Sequence, residues 1–213
     1  MLKLYNFFRS GTSHRLRIAL NLKGLDYQYL PVDLRSEQHR AADFLALNPQ
    51  GLVPALVDGG QTLIQSPAII EWLEERHPEP PLLPQAPDER ARVRALAAVV
   101  GCDTHPLNNR RVLEYLRRQL GCEQAAVDAW CHTWICAGFD ALEALLASDR
   151  QRGDFCFGHA PTLADIYLVP QVESARRFNV DLRPYPLITA VDHACAQLDA
   201  FRRAAPAAQP DAV

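Results

Sequence analysis

Residues 2–22 read LKLYNFFRSGTSHRLRIALNL. The part through residue 8 alternates in polarity and is rich in aromatic side chains, as β-strands are. Residues 9–13 are a cluster of turn-forming residues, and apolar residues at helical spacing begin after Ser13. Gly24 stands where the cap at the C-terminal end of a helix belongs. This stretch therefore predicts a strand, a hydroxyl-rich turn and a helix.

The next fifty residues continue the alternation of strands and helices. We predict a strand over 26–32, a short helix over 38–46, strands over 53–57 and 62–65 around an Asp58-Gly59-Gly60 turn, and a helix from Ser66 to about His77. The order β-α-β-α-β-β-α permits a right-handed parallel crossover followed by an antiparallel hairpin. This order is thioredoxin-like, although the pattern alone leaves other α/β folds open.

Proline marks the end of this first part. Five of the ten residues in 78–87 are proline, which is typical of a stiff linker. The rest of the chain reads as helical, over 88–120 with a break at Pro106, 124–147, 162–178 and 186–198, and we expect 204–213 to fray. The predicted fold class is α/β plus all-α, with a thioredoxin-like domain over 1–80 and an all-helical domain over 88–213.

Composition excludes several classes of function. The 213 residues carry a net charge of −3 and no long basic block, which argues against a nucleic-acid partner. No signal peptide and no apolar run of about 18 residues is present, so we expect a cytoplasmic protein without a membrane segment. The six cysteines form no C-x-x-C pair and the histidines are scattered, so neither a metal site nor a redox dithiol is predicted.

The hydroxyl turn is the first candidate site. Ser10, Gly11, Thr12 and Ser13 stand at a predicted helix start, where backbone N–H groups and a partial positive charge are available. A thioredoxin would have two cysteines here, so this chain would have to activate the thiol of another molecule. Lowering a thiol pKa of about 8.5 by two units requires about 2.7 kcal/mol. An ordinary helix cap is the alternative interpretation.

Two further segments have the chemistry of a peptide-binding site. A cis bond before Pro54 would expose the Val53 N–H and C=O to an extended ligand, whereas an edge-strand proline is the alternative. Gln65 precedes a predicted helix and Ser66 begins it, and the Ser66 hydroxyl and amide suit a carboxylate. A plain N-cap is again the alternative.

In their order and spacing, these segments resemble the zeta class of glutathione transferases. The resemblance covers nearly the whole chain and is carried by residues 9–20, 48–49, 53–54, 65–73, 102–109 and 158–165. The class includes the bacterial maleylacetoacetate and maleylpyruvate isomerases. The resemblance implies a glutathione-dependent cis–trans isomerase of aromatic-compound catabolism, which forms a homodimer and converts maleylpyruvate to fumarylpyruvate. A maleylacetoacetate isomerase or a general zeta-class transferase is the alternative.

The resemblance also implies which residues bind glutathione. Ser10, Gly11 and Thr12 would face its sulfur, and Val53 would pair with its backbone. Gln65 and Ser66 would hold its γ-glutamyl carboxylate, and His39 and Gln50 would lie near its glycyl end. The second domain would contribute Asp103, His105, Asn109 and Arg110. The class usually reads Ser-Ser-Cys where this chain has Ser10-Gly11-Thr12. A mechanism that uses the class cysteine is therefore excluded, and we favour Ser10 as the group that orients the sulfur, with Thr12 in support.

Arginines are the candidate groups for the dicarboxylate substrate, because guanidinium binds carboxylates through two hydrogen bonds. We select Arg9, Arg110 from the pair Arg110-Arg111 and Arg177 from the pair Arg176-Arg177. Adjacent helical residues diverge by about 100°, so only one arginine of each pair can face a ligand. In the hypothesis, the thiolate adds to the cis double bond, the arginines stabilise the charge that develops, and rotation precedes release. A non-catalytic binding module is disfavoured because both the hydroxyl turn and the Gln65-Ser66 pair are present. A thioredoxin-type oxidoreductase would need a cysteine in the turn.

Overall fold

The computed structural model describes residues 1–212 and divides the chain into two compact units. One comprises Met1–Leu82 together with the segment from Ala196 onward, and the other comprises Leu83–Cys195. The first is an α/β unit and the second is helical, so the predicted fold class is confirmed.

A four-stranded mixed sheet forms the centre of the first unit. Its strands are β1 Leu2–Asn6, β2 Tyr27–Pro31, β3 Ala55–Asp58 and β4 Gln61–Ile64, in the order β2-β1-β3-β4. β1 pairs with β2 in parallel, with Leu4 opposite Tyr29, whereas β3 is antiparallel to both β1 and β4. The hairpin turns through Gly59, whose φ of 58° favours glycine. The parallel pair and the hairpin are those that the element order predicts.

Nine α-helices accompany the sheet within residues 1–212. They are α1 Gly11–Leu22, α2 Ala42–Leu47, α3 Ser66–Arg76, α4 Pro87–Ala98, α5 Arg110–Arg118, α6 Gln124–Ser148, α7 Leu163–Arg177, α8 Pro186–Ala196 and α9 Asp199–Ala204. Short 3₁₀ turns cover Gln38–Arg40 and Pro206–Ala208, and a π-helical turn covers Val99–Thr104. The predicted helix over 186–198 is α8, which ends at Ala196, and a further short helix that the sequence did not predict, α9, follows it.

Helix α1 is buried on every side, although its apolar spacing predicts a single buried face. It packs against both α3 and α9, so that 13–20 is buried throughout, polar side chains included. Arg17 is completely buried and donates four hydrogen bonds, from Nε to Ala204 O, from Nη1 to Asn6 Oδ1 and Phe7 O, and from Nη2 to Phe8 O. Burial lowers the pKa of Arg17 to about 10, so the guanidinium is charged at neutral pH.

The expectation that residues 204–213 fray is wrong for the described part of this segment. Gln209 is buried, and its Nε2 donates to Arg203 O at 2.7 Å and to Ala205 O at 2.8 Å. Asp211 accepts a hydrogen bond from the Phe8 N–H at 3.2 Å. The packing of α9 on α1 and the bond between Asp211 and Phe8 join the segment from Ala196 to the first unit, whereas the sequence placed it in the helical domain.

The break in the first long stretch of the helical unit is longer than the single interruption predicted at Pro106. Regular α-helix ends at Ala98 and resumes only at Arg110. The π-helical turn packs closely on its neighbours, because a Cβ on Gly101 would lie 2.7 Å from the Tyr167 ring and one on Gly138 would lie 2.2 Å from Thr104 Oγ1. Proline then lacks the N–H needed to restore the helix at once.

Helix α7 begins with the predicted capping box. The Thr162 Oγ1 accepts from the Ala164 N–H, and Asp165 Oδ2 accepts from the Thr162 N–H at 2.7 Å. Asp165 is fully buried and its Oδ1 also accepts from the Cys156 N–H. The pair therefore fixes both the helix start and the loop before it.

Across residues 1–212, every helix is too short or too polar to cross a bilayer. All six cysteines are thiols.

The pH dependence of stability should carry a contribution from His14. Burial, followed by the charges of Arg17 and Arg15, lowers the pKa of His14 to about 3 from an ordinary 6.5. Below pH 6.5 the unfolded chain binds a proton that the folded chain does not, so the free energy of unfolding falls as pH falls toward 3. Between about pH 7 and pH 5, the loss should be about 2 kcal/mol larger in the parent than in His14→Leu.

Urea unfolding at the two pH values measures this difference. The exposed His159 supplies the control, since a His159→Leu variant should follow the parent. Equal losses in the parent and in His14→Leu would contradict the assignment.

Candidate functional site

The hydroxyl turn lies at the N-terminus of α1. Ser10 is the N-cap, with its Oγ accepting from the Ser13 N–H at 3.2 Å and its carbonyl accepting from the His14 N–H at 2.8 Å. The remaining first-turn N–H groups belong to Gly11 and Thr12, and no backbone acceptor within residues 1–212 takes them. The turn therefore presents two amide donors and two half-buried hydroxyls at the positive end of a helix.

The two hydroxyls form a directed chain of hydrogen bonds. Thr12 Oγ1 donates to the Val53 carbonyl at 2.9 Å, and Ser10 Oγ lies 2.9 Å from Thr12 Oγ1. A hydroxyl has one proton, so when Thr12 donates to Val53 it accepts from Ser10. Turning the Ser10 proton toward a ligand breaks only the bond between the hydroxyls, whereas turning that of Thr12 leaves the Val53 carbonyl without this donor. The geometry favours Ser10 as the donor to a sulfur atom.

Val53 lies beside this turn, in a loop that hydrogen bonds of the Asn48 side chain stabilise. The Val53–Pro54 bond is cis, and Val53 is buried. Asn48, almost completely buried, donates from Nδ2 to the Leu52 carbonyl at 2.6 Å and accepts from the Gln50 N–H at 3.1 Å. The structure thus brings Val53 together with Ser10 and Thr12, which lie more than forty positions earlier in the chain.

Gln65 and Ser66 form a second polar group at the start of α3. Gln65 has a φ of 69°, a conformation that costs a non-glycine residue about 1–3 kcal/mol, and its Nε2 donates to Gln50 Oε1 at 2.5 Å. Ser66 is 2% exposed, and its Oγ has no hydrogen-bond partner within residues 1–212. A buried hydroxyl without a partner, at a helix start, is suited to an anionic ligand.

His39 lies in the 3₁₀ turn before α2 and is buried. A Cβ on Gly51 would lie 3.0 Å from the His39 carbonyl oxygen, so the Gln50-Gly51 turn packs directly on this segment. The φ of 60° at Gly51 also favours glycine. His39, Gln50 and Gln65 are therefore on neighbouring segments of the first unit.

The remaining predicted residues belong to the second unit, where most have local partners. Asp103 is exposed in the π-helical turn, and the His105 N–H donates to Val100 O at 2.9 Å. Asn109 is the N-cap of α5 and accepts from the Arg111 N–H at 3.1 Å. Arg110 Nε lies 2.6 Å from Glu114 Oε1. Of these four residues only Arg110 lies in a regular α-helix, because the chain is not α-helical between Ala98 and Arg110.

Two predicted arginines are exposed. The guanidinium of Arg9 lies 5.9 Å from the centre of the Phe8 ring. Arg177 ends α7, donates from Nη2 to Ser174 Oγ at 3.1 Å and lies 5.4 Å from the Phe178 ring. The neighbouring Arg176 pairs instead with Asp192.

Sequence reasoning missed the residues that support the turn. Arg17, Asn48 and Asp211 hold its backbone or the adjacent loop. The available signal was an arginine between the apolar Leu16 and Ile18 of α1, and it was not read as buried.

Comparison with known proteins places this arrangement in a family. The family model of the glutathione S-transferase N-terminal domain matches residues 9–76, and that of the C-terminal domain matches residues 137–207. Together they cover more than half of the chain, which therefore belongs to the glutathione S-transferase family.

Three relatives narrow the comparison within that family. A maleylpyruvate isomerase from Ralstonia sp is 72% identical over 210 residues, which are 99% of each chain. A holo structure of maleylpyruvate isomerase, a bacterial zeta-class glutathione S-transferase, matches with a TM-score of 0.98 at 72% identity over 99% of this chain and 100% of that one. A maleylacetoacetate isomerase from Methylobacterium extorquens AM1, with bound malonate and glutathione, matches with a TM-score of 0.96 at 40% identity over 99% of both chains.

Proposed function

We propose that this protein is a glutathione-dependent cis–trans isomerase that converts maleylpyruvate to fumarylpyruvate. The observation that carries the proposal is the 72% identity, over 99% of each chain, to a maleylpyruvate isomerase. Glutathione is the cofactor and is regenerated in each cycle. The bound glutathione and malonate in the Methylobacterium relative support a site for the tripeptide and a small dicarboxylate.

The residues of the first unit fit glutathione. The unpartnered, buried Ser66 hydroxyl suits the γ-glutamyl carboxylate, with Gln65 beside it. The Val53 backbone suits the cysteinyl backbone, and Ser10, Gly11 and Thr12 surround the sulfur position. His39 and Gln50 lie on the adjoining segments and are assigned to the glycyl end. The turn contains no cysteine, so the thiol must come from the bound tripeptide.

When bound, glutathione supplies a thiol nucleophile for reversible addition to the cis double bond. Ser10 and the amides of Gly11 and Thr12 favour the thiolate over the thiol. Arg9, Arg110 and Arg177 bind the two carboxylates and stabilise negative charge that develops on the substrate. Asp103, His105 and Asn109 are assigned to cofactor binding from the second unit. An Arg9→Ala variant that keeps the parent KM for the dicarboxylate would remove Arg9 from this set.

The experiment that tests the proposal follows the loss of maleylpyruvate and of maleylacetoacetate, each with and without glutathione. Loss of maleylpyruvate only with glutathione, at constant total thiol and faster than that of maleylacetoacetate, is the expected result. Faster turnover of maleylacetoacetate would reassign the substrate, and a falling thiol concentration would identify a conjugating transferase.

We also propose that the protein acts in the cytoplasm as a homodimer. The dimer follows from the zeta-class resemblance, and six cysteines present as thiols suit a reducing compartment. Light scattering of the purified protein tests the dimer, because a monomeric mass at assay concentration would contradict it.

Removal of the Ser66 hydroxyl should separate binding from stability. Ser66→Ala deletes a buried group without a partner in the free protein, so the midpoint of thermal unfolding should not fall. Loss of one hydrogen bond to a carboxylate should raise the KM for glutathione about tenfold, or about 1.4 kcal/mol. Initial rates and thermal unfolding measure the two quantities, with the exposed Ser36→Ala as the control. An unchanged KM would exclude Ser66 from the cofactor site.

A further inference from the structure

The last described residues lie against the loop that leads into the hydroxyl turn. Asp211 Oδ2 accepts from the Phe8 N–H at 3.2 Å, across 203 positions of the sequence, and Oδ1 accepts from the Tyr29 hydroxyl. Burial, followed by this hydrogen bond, raises the pKa of Tyr29, so the hydroxyl keeps the proton that it donates. One carboxylate therefore joins the loop after β1 to strand β2.

The residue that Asp211 contacts is also held at its other polar group. Arg17 Nη2 donates to the Phe8 carbonyl at 2.9 Å, and Nη1 lies 3.4 Å from the Phe7 carbonyl. The Phe7 carbonyl also accepts from the Ser10 N–H at 3.0 Å. A carboxylate at the N–H and a guanidinium at the C=O thus fix Phe8, two positions before Ser10.

The tail also takes part in the apolar cluster beneath the site. Ala212 packs against a cluster formed by Phe7, Phe8, Val32, Phe44 and Val53. The same cluster therefore joins the tail, the loop before the turn and the residue whose carbonyl accepts from Thr12. Gln209, through its bonds to Arg203 and Ala205, anchors the tail to α9.

We infer that the C-terminal tail, residues 209–212, positions the hydroxyl turn, with Asp211 as the positioning residue. The inference rests on the proposed function insofar as the turn binds glutathione. Asp211 touches neither the turn hydroxyls nor the amides of Gly11 and Thr12. It acts through Phe8, whose backbone sets the direction in which Arg9 and Ser10 leave β1.

The test compares Asp211→Ala and Asp211→Asn with the full-length parent. Asp199→Ala is the matched control, because Asp199 is an exposed aspartate of the same C-terminal segment that pairs with the nearby Arg202 and Arg203. Three quantities are measured: hydrogen exchange of residues 7–12 in the free protein, the glutathione dissociation constant, and the pKa of the bound thiol from thiolate absorbance. A merely structural role would lower thermal stability without moving the bound-thiol pKa.

In Asp211→Ala we expect faster exchange confined to residues 7–12, about fivefold weaker glutathione binding and a raised bound-thiol pKa. Asp211→Asn keeps one accepting oxygen and should fall between Asp211→Ala and the parent. A folded Asp211→Ala with parental exchange in 7–12, or with unchanged affinity and thiol pKa, would overturn the inference. A parent that binds no glutathione would instead contradict the proposed function, and the exchange data would then decide the positioning role alone.

Discussion

Replacement of Arg17 by methionine is expected to lower the free energy of unfolding by about 3–5 kcal/mol. Methionine keeps most of the buried volume but donates no hydrogen bond. The carbonyls of Phe7, Phe8 and Ala204 and the Asn6 side chain would each lose this donor inside the protein. The Phe7 carbonyl keeps its bond from the Ser10 N–H. Leaving a buried acceptor unpaired costs about 1–3 kcal/mol, partly offset because the charged guanidinium no longer has to be desolvated.

Urea and thermal unfolding measure this loss, which should lower the Tm by about 10 °C. Arg76→Met is the matched control, since Arg76 is an exposed arginine on α3 of the same unit and its loss should change little. Arg17→Lys should lie between the two, because a single ammonium group cannot reach the four acceptors in the geometry of a planar guanidinium. If Arg17→Met were as stable as Arg76→Met, the buried network would not contribute to stability.

Loss of the Ser10 hydroxyl is expected to lower kcat/KM about 100-fold. The reason is that stabilising a thiolate by two pKa units corresponds to about 2.7 kcal/mol, and Ser10 is at the donor end of the hydroxyl chain. Thr12→Val should cost less, because the Thr12 proton is already donated to Val53. The pH profile of kcat/KM should move to higher pH in Ser10→Ala, since the bound thiol then ionises later.

Ser10 also caps α1, so two substitutions separate its roles. Alanine should cost about 1 kcal/mol of stability as an N-cap, whereas glycine should cost only a few tenths. Ser10→Ala and Ser10→Gly should therefore differ in stability but show the same loss of kcat/KM. A larger kinetic loss in Thr12→Val than in either would assign the sulfur to Thr12.

Most secondary-structure elements could be predicted because their signals are local. The strand–turn–helix order of residues 2–22, the Gly59-Gly60 hairpin turn and the capping box at Thr162 each depend on neighbouring residues. The break after Ala98 was harder to locate. Pro106 predicted an interruption of the helix. The break begins earlier, where Gly101 lies close to Tyr167 of α7, and this contact joins residues far apart in sequence.

In the candidate site, too, local sequence predicted the residues of interest, whereas contacts between distant residues decided their geometry. The sequence brought forward Ser10, Val53 and Ser66 as residues of interest and favoured Ser10 over Thr12, but without a geometric reason for that preference. The choice depends on the Thr12–Val53 hydrogen bond, which exists only once the loop at Asn48 has folded back beside α1. Sequence alone also left the burial of the Ser66 hydroxyl undetermined.

By itself, the sequence determined the order of elements, the hydroxyl turn without cysteine and the likeness to the zeta class, since each is carried by residues adjacent in the chain. Only the tertiary structure decided that Arg17 is buried, that Asp211 contacts Phe8 and that Thr12 donates to Val53. The physical reason is that such charged and polar contacts join residues 9 to 203 positions apart. No local pattern encodes a partner at that distance, and only chain folding selects it.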